Sequence, residues 1–434
     1  MPKHVAIIGG GYAGLAAAVE LARNHVPVTL YESARQLGGR ARRVDHQDLK
    51  LDNGQHILIG AYHETLRMIA LVTQADAGSS PPLYLRLALE LTVPGHFSLK
   101  AAPLPKPLHL AVALLSAHGL RFYERLQAVR FMLAMRREQF MLPEDISVAA
   151  LLQQYRQGGN LQRFLWEPLC IAALNTPITT ASAQVFLNVL KDSLDGARAA
   201  SDLIVPCIDL SGLFPDRAAA YITRHGGHVK TGSGVDKIES TPAGFKLFTQ
   251  DQADEFTHVV CATPPQRLAQ LTANMPELAE SARMVADFSY QPIYTVYLQY
   301  PPDASLPQPM LGLTGGCSQW VFDRGQTHKT PGLLAVIISA EGEHQNLEQN
   351  ELAHRVHTEL KSSFAFLPEP SWHKVIAEKR ATFSCNVNLQ RPGQVTPLKH
   401  FYLAGDYTAG AYPATLEAAV QSGVKCANTI LENR

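Results

Sequence analysis

Apolar residues run without a break through positions 5–8, and a glycine-rich turn follows them. A continuous apolar run of this length is typical of a strand that is buried on both faces. Apolar residues then recur at helical spacing over positions 13–24, and a second strand-like run, VTLYE, covers positions 28–32. The order strand, helix, strand predicts a βαβ unit and therefore a parallel sheet at the start of the chain.

The pattern then changes several times along the chain. After a cluster of prolines that begins at residue 81, the pattern up to about residue 201 is mainly helical. Short strand-like runs separated by glycines return between residues 221 and 264. Residues 285–385 mix two strand-like runs with a helix near 346–364, and the chain ends in a strand, a loop and a helix.

We interpret this alternation as two interleaved domains, because 434 residues are too many for one compact core. A Rossmann-like nucleotide-binding domain is assembled from residues 1–80, 205–268 and 385–434. An α+β substrate domain, residues 81–204 and 269–384, is inserted into it. The fold class predicted for the whole chain is α/β.

Composition and charge exclude several classes of protein. The formal net charge is zero, so no overall field attracts nucleic acid. The six cysteines are scattered singly without a CxxC pair, which argues against a disulfide framework and against a zinc site. The first strand begins too early to leave room for a signal peptide, and we therefore expect a cytoplasmic protein.

The glycine-rich turn carries the first chemical signal. Gly9, Gly11 and Gly14 form a GxGxxG motif directly after the predicted strand and at the start of the predicted helix. Their absent side chains allow a tight turn, close approach of backbone to a pyrophosphate, and close packing of helix on strand. Glu32 ends the second strand, where a carboxylate accepts hydrogen bonds from ribose hydroxyls. This combination predicts a dinucleotide site.

A second pair of glycines distinguishes among dinucleotides. Gly38, Gly39 and Arg40 follow the acid closely enough for the loop to return over the pyrophosphate, where the arginine would neutralise it. This spacing resembles the fingerprint of the amine oxidase and phytoene desaturase superfamily of flavoproteins. The resemblance implies an amine oxidase/phytoene desaturase type of fold with FAD as the cofactor. No cysteine lies between residues 386 and 425, so the FAD is expected to be bound non-covalently.

The same resemblance implies further cofactor contacts. Gly405 and Asp406 match the segment that bonds the ribityl and pyrophosphate region, and Val235 matches a backbone contact to adenine. The residues at the start of the last helix are expected to face the flavin, because a helix N-terminus stabilises negative charge on reduced flavin. These residues are Ala414, Thr415 and Leu416.

Residues 51–66 and 164–194 carry a finer resemblance, to the hydroxysqualene dehydroxylase family. That resemblance implies reduction of hydroxysqualene to squalene by reduced FAD, with a linear triterpenoid as substrate and an unidentified electron donor. Three alternatives stay open: a polyene desaturase of the phytoene or carotenoid type, a flavin amine oxidase, and the related Rab escort and dissociation-inhibitor proteins, which bind lipidated partners without redox chemistry.

Two residues are candidates for catalysis within this resemblance. His56 follows Gly54 and Gln55, and all three are expected beside the flavin ring. Glu167 lies in the signature helix of the substrate domain. Either could protonate or hydrogen-bond the departing hydroxyl. The alternatives are a role for His56 in contacting the flavin edge only, and a role for Glu167 in bracing a helix next to Pro168.

Residues 100–142 hold seven basic residues against two acidic ones, a net charge of +5. Within them, apolar residues recur at helical spacing between Phe122 and Phe140. A basic amphipathic helix suits the surface of an anionic membrane, and a triterpenoid must be drawn from a membrane. We therefore expect peripheral association with the inner face of the cell membrane. The alternative is a core helix whose arginines are merely solvated.

Overall fold

The computed structural model describes residues 2–74, 82–250 and 252–433. Its strands, in chain order, are β1 (Val5–Ile8), β2 (Val28–Glu32), β3 (Arg43–His46), β4 (Leu49–Asp52), β5 (Leu58–Ile59), β6 (Tyr84–Leu87), β7 (Glu90–Val93), β8 (Phe97–Lys100), β9 (Leu203–Pro206), β10 (His228–Thr231), β11 (Lys237–Thr241), β12 (Gly244–Phe248), β13 (Ala253–Phe256), β14 (His258–Cys261), β15 (Tyr290–Gln299), β16 (Met310–Gly312), β17 (Trp320–Asp323), β18 (Leu333–Ser339), β19 (Trp372–Phe383) and β20 (Phe401–Leu403).

The helices, in chain order, are α1 (Tyr12–Arg23), α2 (His63–Thr73), α3 (Leu108–Ser116), α4 (Phe122–Arg137), α5 (Val148–Gln154), α6 (Glu167–Leu174), α7 (Ala183–Leu194), α8 (Leu210–Leu213), α9 (Pro215–Arg224), α10 (Leu268–Leu271), α11 (Ala279–Ala286), α12 (Arg324–His328), α13 (Gln349–Ser363) and α14 (Leu416–Glu432).

Five strands form a parallel sheet in the order β10-β2-β1-β14-β20. The central strand β1 is buried at all four positions, as its continuous apolar run requires. Helix α1 connects β1 to β2, so the predicted βαβ opening is present. This sheet confirms the predicted α/β fold with a Rossmann-like core.

A second five-stranded sheet, in the order β16-β17-β18-β15-β19, is antiparallel. One of its faces packs against α13 through side chains such as Val296 and Val356. The opposite face carries Tyr297 and Ile337, which cluster with Leu51 of the first domain. The second sheet therefore covers the segment that contains Leu51, and with α13 it has the α+β character predicted for the inserted domain.

The remaining strands form small sheets. Strands β11, β12 and β13 make an antiparallel meander, and β5, β9 and β6 make a three-stranded sheet. Strands β6, β7 and β8 lie in the region whose pattern was mainly helical. The prediction missed them because strands of four residues leave too few positions to show an alternation.

All strands of the parallel sheet lie within residues 1–80, 205–268 and 385–434. The domain boundaries themselves stay a prediction. The boundary at residues 80 and 81, with Pro81, lies outside the described residues.

The last helix lies directly on the first. A β-carbon on Gly423 of α14 would lie 2.0 Å from the carbonyl oxygen of Ala13 in α1. Only glycine permits this approach, because a β-carbon cannot come that close to a backbone atom. The contact brings the N-terminal end of α14 toward the first glycine turn.

The predicted amphipathic helix between Phe122 and Phe140 differs from the observed one. Helix α4 ends at Arg137, and Gln139 and the buried Phe140 both have positive φ. Phe140 therefore does not belong to the stripe. The helix has a second apolar face, Phe131 and Met135, which packs into the core.

Candidate functional site

The first glycine turn is held by backbone contacts that exclude side chains. Gly9 has a φ of 109°, and a β-carbon there would lie 2.5 Å from the carbonyl oxygen of Ala262, after β14. A β-carbon on Gly14 would lie 2.0 Å from the carbonyl oxygen of Gly9. Gly11 stands at the N-terminal end of α1. The turn thus directs the N-terminus of α1 into the cleft, where a helix end binds phosphate.

Glu32 lies at the end of β2, next to this turn. Its carboxylate accepts hydrogen bonds from the backbone N–H groups of Gly10 at 2.7 Å and Ala34 at 2.8 Å. The carbonyl of Glu32 accepts a bond from the N–H of Ser233 at 2.8 Å, which brings the loop of Val235 alongside. Val235 is buried. The predicted ribose acid and the predicted adenine contact are therefore neighbours.

The second glycine pair lies on the first turn. The N–H of Gly38 donates to the carbonyl of Gly10 at 2.8 Å. A β-carbon on Gly39 would lie 3.3 Å from the Cα of Gly11. Both Gly38 and Gly39 have positive φ, which glycine adopts at little cost. The two glycine segments therefore form one surface of bare backbone.

Arg40 joins this surface to the C-terminal segment. One guanidinium nitrogen lies 2.6 Å from the Asp406 carboxylate, and the other donates to the carbonyl of Ala381 at 2.6 Å. The Arg40 side chain keeps 42% of its surface exposed, so part of the guanidinium remains available to an anion. Gly405, just before Asp406, has a φ of 150°.

Two buried hydroxyl groups near this ion pair lack hydrogen bonds. Within the described residues, the hydroxyls of Tyr290 and Tyr407 have no partner. Both tyrosines lie within electrostatic range of Asp406, and burial raises the pKa of each. Buried polar groups are normally satisfied, so unpaired hydroxyls beside a glycine surface and an arginine fit a cleft built for a polar ligand.

The N-terminal end of α14 contains Ala414, Thr415 and Leu416. The Thr415 hydroxyl accepts the N–H of Ala418 at 3.2 Å, and the helix begins at Leu416. Glu417, in the first turn, points away toward α2 and accepts the N–H groups of Glu64 at 3.0 Å and Thr65 at 2.9 Å. A carboxylate at a helix N-terminus is stabilising, so Glu417 fixes α2 against α14.

Gly54, Gln55 and His56 follow β4. Nδ1 of His56 lies 2.7 Å from the carbonyl oxygen of Gly54. Because a carbonyl only accepts, Nδ1 carries the hydrogen and Nε2 is an acceptor whenever the ring is neutral. Burial lowers the pKa of His56 below its ordinary value, so the ring is neutral at pH 7.

Glu167 begins α6, directly after a π-helical turn at Gln162–Trp166. It is half-buried, and among the described residues its carboxylate forms no hydrogen bond or ion pair. The structure therefore does not link it to His56. Elsewhere in the signature segment, Asn175 has a left-handed backbone and its side chain holds Thr382 and the N–H of Ala340.

The structure thus brings the two glycine turns, Glu32 and Arg40 together with Asp406 and the loop of Val235. It also adds residues that the sequence analysis missed. Asp52 lies in the segment 51–66, and the Arg324 guanidinium donates a hydrogen bond of 2.8 Å to its carboxylate. The two residues are 272 positions apart in the sequence. No local pattern could have identified Arg324, because its partner lies in the other domain.

Comparisons with known proteins agree with this geometry. The family model described as flavin containing amine oxidoreductase matches residues 12–431. A protein of Zymomonas mobilis named hydroxysqualene dehydroxylase is 26% identical over 444 residues, covering 98% of this chain and 99% of that protein. Another of that name, from Rhodopseudomonas palustris, is 28% identical over 444 residues, covering 99% of each.

A solved structure shares the fold. It is described as an oxidoreductase from Methanosarcina mazei, and it superposes with a TM-score of 0.76 at 15% identity. The match covers 99% of this chain and 100% of that one.

Replacing Arg40 by Met should weaken flavin binding. Loss of a charged hydrogen-bonding group typically costs about 1.5–3 kcal/mol, so the dissociation constant should rise by about ten- to a hundredfold. Fluorescence titration of the flavin-depleted protein measures it. The matched control is Arg224→Met, on the surface at the end of α9, which should bind flavin as the unaltered protein does. Equal affinity of Arg40→Met and the control would contradict the assignment.

Proposed function

This chain belongs to the flavin-containing amine oxidoreductase family, and from that premise we propose that it is an FAD-dependent enzyme that reduces hydroxysqualene to squalene. The observation that carries the proposal is full-length similarity, at 26% and 28% identity, to two proteins named hydroxysqualene dehydroxylase. Both matches span the FAD-binding domain and the substrate domain, so the similarity to these proteins extends to both domains.

The residues of the cleft fit non-covalently bound FAD. The bare backbone at Gly11 and Gly39 and the N-terminus of α1 would hold the pyrophosphate with Arg40, and Glu32 would hold the adenosine ribose. Bound reduced FAD would supply the hydride that replaces the hydroxyl of the substrate.

The protein's own contribution is to exclude water and to orient the polyene. One apolar cluster lies between the antiparallel sheet and the loop after β4. It includes Leu51, Ile57, Ile293 and Ile337. Its partly buried members, Ile57 and Ile293, would offer an apolar surface to a hydrocarbon chain and help to keep water from an allylic cation. His56, which precedes Ile57 in the sequence, offers an acceptor nitrogen.

The reaction balances as hydroxysqualene plus reduced FAD giving squalene, oxidised FAD and water. The purified holoprotein, incubated without oxygen with hydroxysqualene and excess dithionite, should form squalene, which mass spectrometry detects. Arg224→Met should form squalene at the same rate, and Arg40→Met should form less because it holds less flavin. Flavin-loaded protein that forms no squalene, or that introduces double bonds into a polyene instead, would contradict the proposal.

The neutral ring of His56 predicts how the rate of squalene formation depends on pH. Because burial lowers the pKa of His56 below its ordinary value of 6.5, the ring is mainly neutral from pH 7 to pH 8. Squalene formation should therefore show no decline in this range that depends on His56. Rates of the unaltered protein and of His56→Gln give the two profiles. A decline in the unaltered protein that is absent from His56→Gln would identify His56 as the proton donor instead.

We also propose that the protein binds an anionic membrane through one face, the docking face, formed by α3, α4 and their flanking loops. Phe122 is 70% exposed and Leu133 is 58% exposed on α4. Of the ten large hydrophobic residues exposed in the described structure, eight lie here: Leu104, Leu108, Val112, Leu115, Phe122, Tyr123, Leu133 and Met141. Such a concentrated apolar patch suits insertion into a lipid surface.

Basic residues surround this face. Among the described residues, the side chains of Lys106, Arg121, Arg130 and Arg137 are exposed and form no ion pair, whereas Arg136 pairs with Asp195. Unpaired cations beside an apolar patch favour anionic lipid. No helix in the described part of the chain combines the length and apolar character that crossing a membrane requires.

Membrane binding can be tested on the docking face directly. The triple variant Leu108→Ser, Phe122→Ser and Leu133→Ser should bind phosphatidylglycerol vesicles more weakly. Each substitution removes an apolar side chain that would enter the lipid, and each should weaken binding about tenfold. Sedimentation with vesicles at low salt measures this. The matched control replaces two exposed apolar residues elsewhere, Phe366→Ser and Val395→Ser, and should bind fully. If the unaltered holoprotein ignores these vesicles, the proposal fails.

A further inference from the structure

Arg324 is a buried arginine that crosses from one domain to the other. It begins α12, after β17 of the antiparallel sheet, and its side chain is 2% exposed. The guanidinium donates to the Asp52 carboxylate at 2.8 Å and to the side-chain oxygen of Gln55 at 2.9 Å. It also donates to the carbonyl of Lys50 at 3.3 Å. One side chain thus holds the whole segment that leads to His56.

The Asp52 end of this arrangement is rigid. The second carboxylate oxygen of Asp52 accepts the N–H of Leu210 at 2.8 Å, and the Tyr297 hydroxyl bonds both backbone groups of Asp52. His328, also nearby, adds no charge, because burial lowers its pKa to about 3. Arg324 is therefore the charged partner of Asp52 among the described residues, and its position is determined from several sides.

The Gln55 end has a chemical consequence. An arginine side chain only donates hydrogen bonds, so the amide oxygen of Gln55 must face it. The amide nitrogen of Gln55 then points away, and no described residue accepts a hydrogen bond from it. A primary amide held in this way is an oriented donor that can serve a bound group.

We infer that Arg324 is a positioning residue that orients the Gln55 amide as a hydrogen-bond donor to the ring of the bound flavin. The neighbouring His56 presents an acceptor, so the two side chains offer opposite hydrogen-bonding characters on one loop. A donor to the ring stabilises the electron-rich reduced form, and its loss makes the potential more negative. This inference rests on the proposed FAD binding and not on the proposed substrate.

The test uses the flavin itself as the probe. In holoprotein, Gln55→Leu removes the donor, and Arg324→Lys keeps a positive charge for Asp52 but loses the fork that also holds Gln55. Both variants should shift the midpoint potential to more negative values and alter the visible absorption bands. In the double variant the potential should equal that of Gln55→Leu alone, because Arg324 acts through Gln55.

The matched control is Arg86→Lys, an exposed arginine paired with Asp202, which should leave spectrum and potential unchanged. Additive shifts in the double variant, or an unchanged potential in Arg324→Lys, would overturn the inference. Should Arg324→Lys fail to fold, Gln55→Leu still decides, since unaltered spectrum and potential in that variant exclude a donor role. None of these measurements needs hydroxysqualene, so the substrate proposal can fail while this inference stands.

Discussion

Direct contact between backbone segments that carry no side chains is the constraint on which the rest of this structure depends. Gly9 lies against Ala262, Gly14 against Gly9, and Gly38 bonds the carbonyl of Gly10. A β-carbon on Gly14 would strike the carbonyl of Gly9 at the end of β1, and one on Gly10 would strike Leu37 in the loop after β2, so side chains here would push these three segments apart. Only when the three are in contact can Arg40 reach Asp406 across the cleft, 366 positions further along the chain.

The two ion pairs of the site have different environments and different tasks. The Arg40–Asp406 pair lies at the cleft with the arginine 42% exposed, so it keeps hydrogen-bonding capacity for a ligand. The Asp52–Arg324 pair is closed, with side chains 1% and 2% exposed. A closed pair contributes little net stability, yet removing one partner leaves a buried charge. The first pair therefore suits binding, and the second suits fixing a loop.

Features that depend on short stretches of sequence were predictable. The βαβ opening and its parallel sheet follow from apolar patterns and glycine positions, and they are confirmed. Arg40 and Asp406 were each expected near the pyrophosphate, Asp406 only through the resemblance to known flavoproteins, and their direct ion pair was not predicted. Contacts such as Asn175 with Thr382, or Arg324 with Gln55, could not be predicted, because they join distant segments whose approach is decided by packing. The packing of the second apolar face of α4 into the core could not be predicted for the same reason.

The closed ion pair also limits motion. It ties the end of β4 to α12 of the other sheet, and pulling the two apart would strip both charges of their partners in an interior without water. Wide clamshell opening between the domains is therefore strongly disfavoured. Any ligand that enters between the domains therefore has to do so without separating β4 from α12.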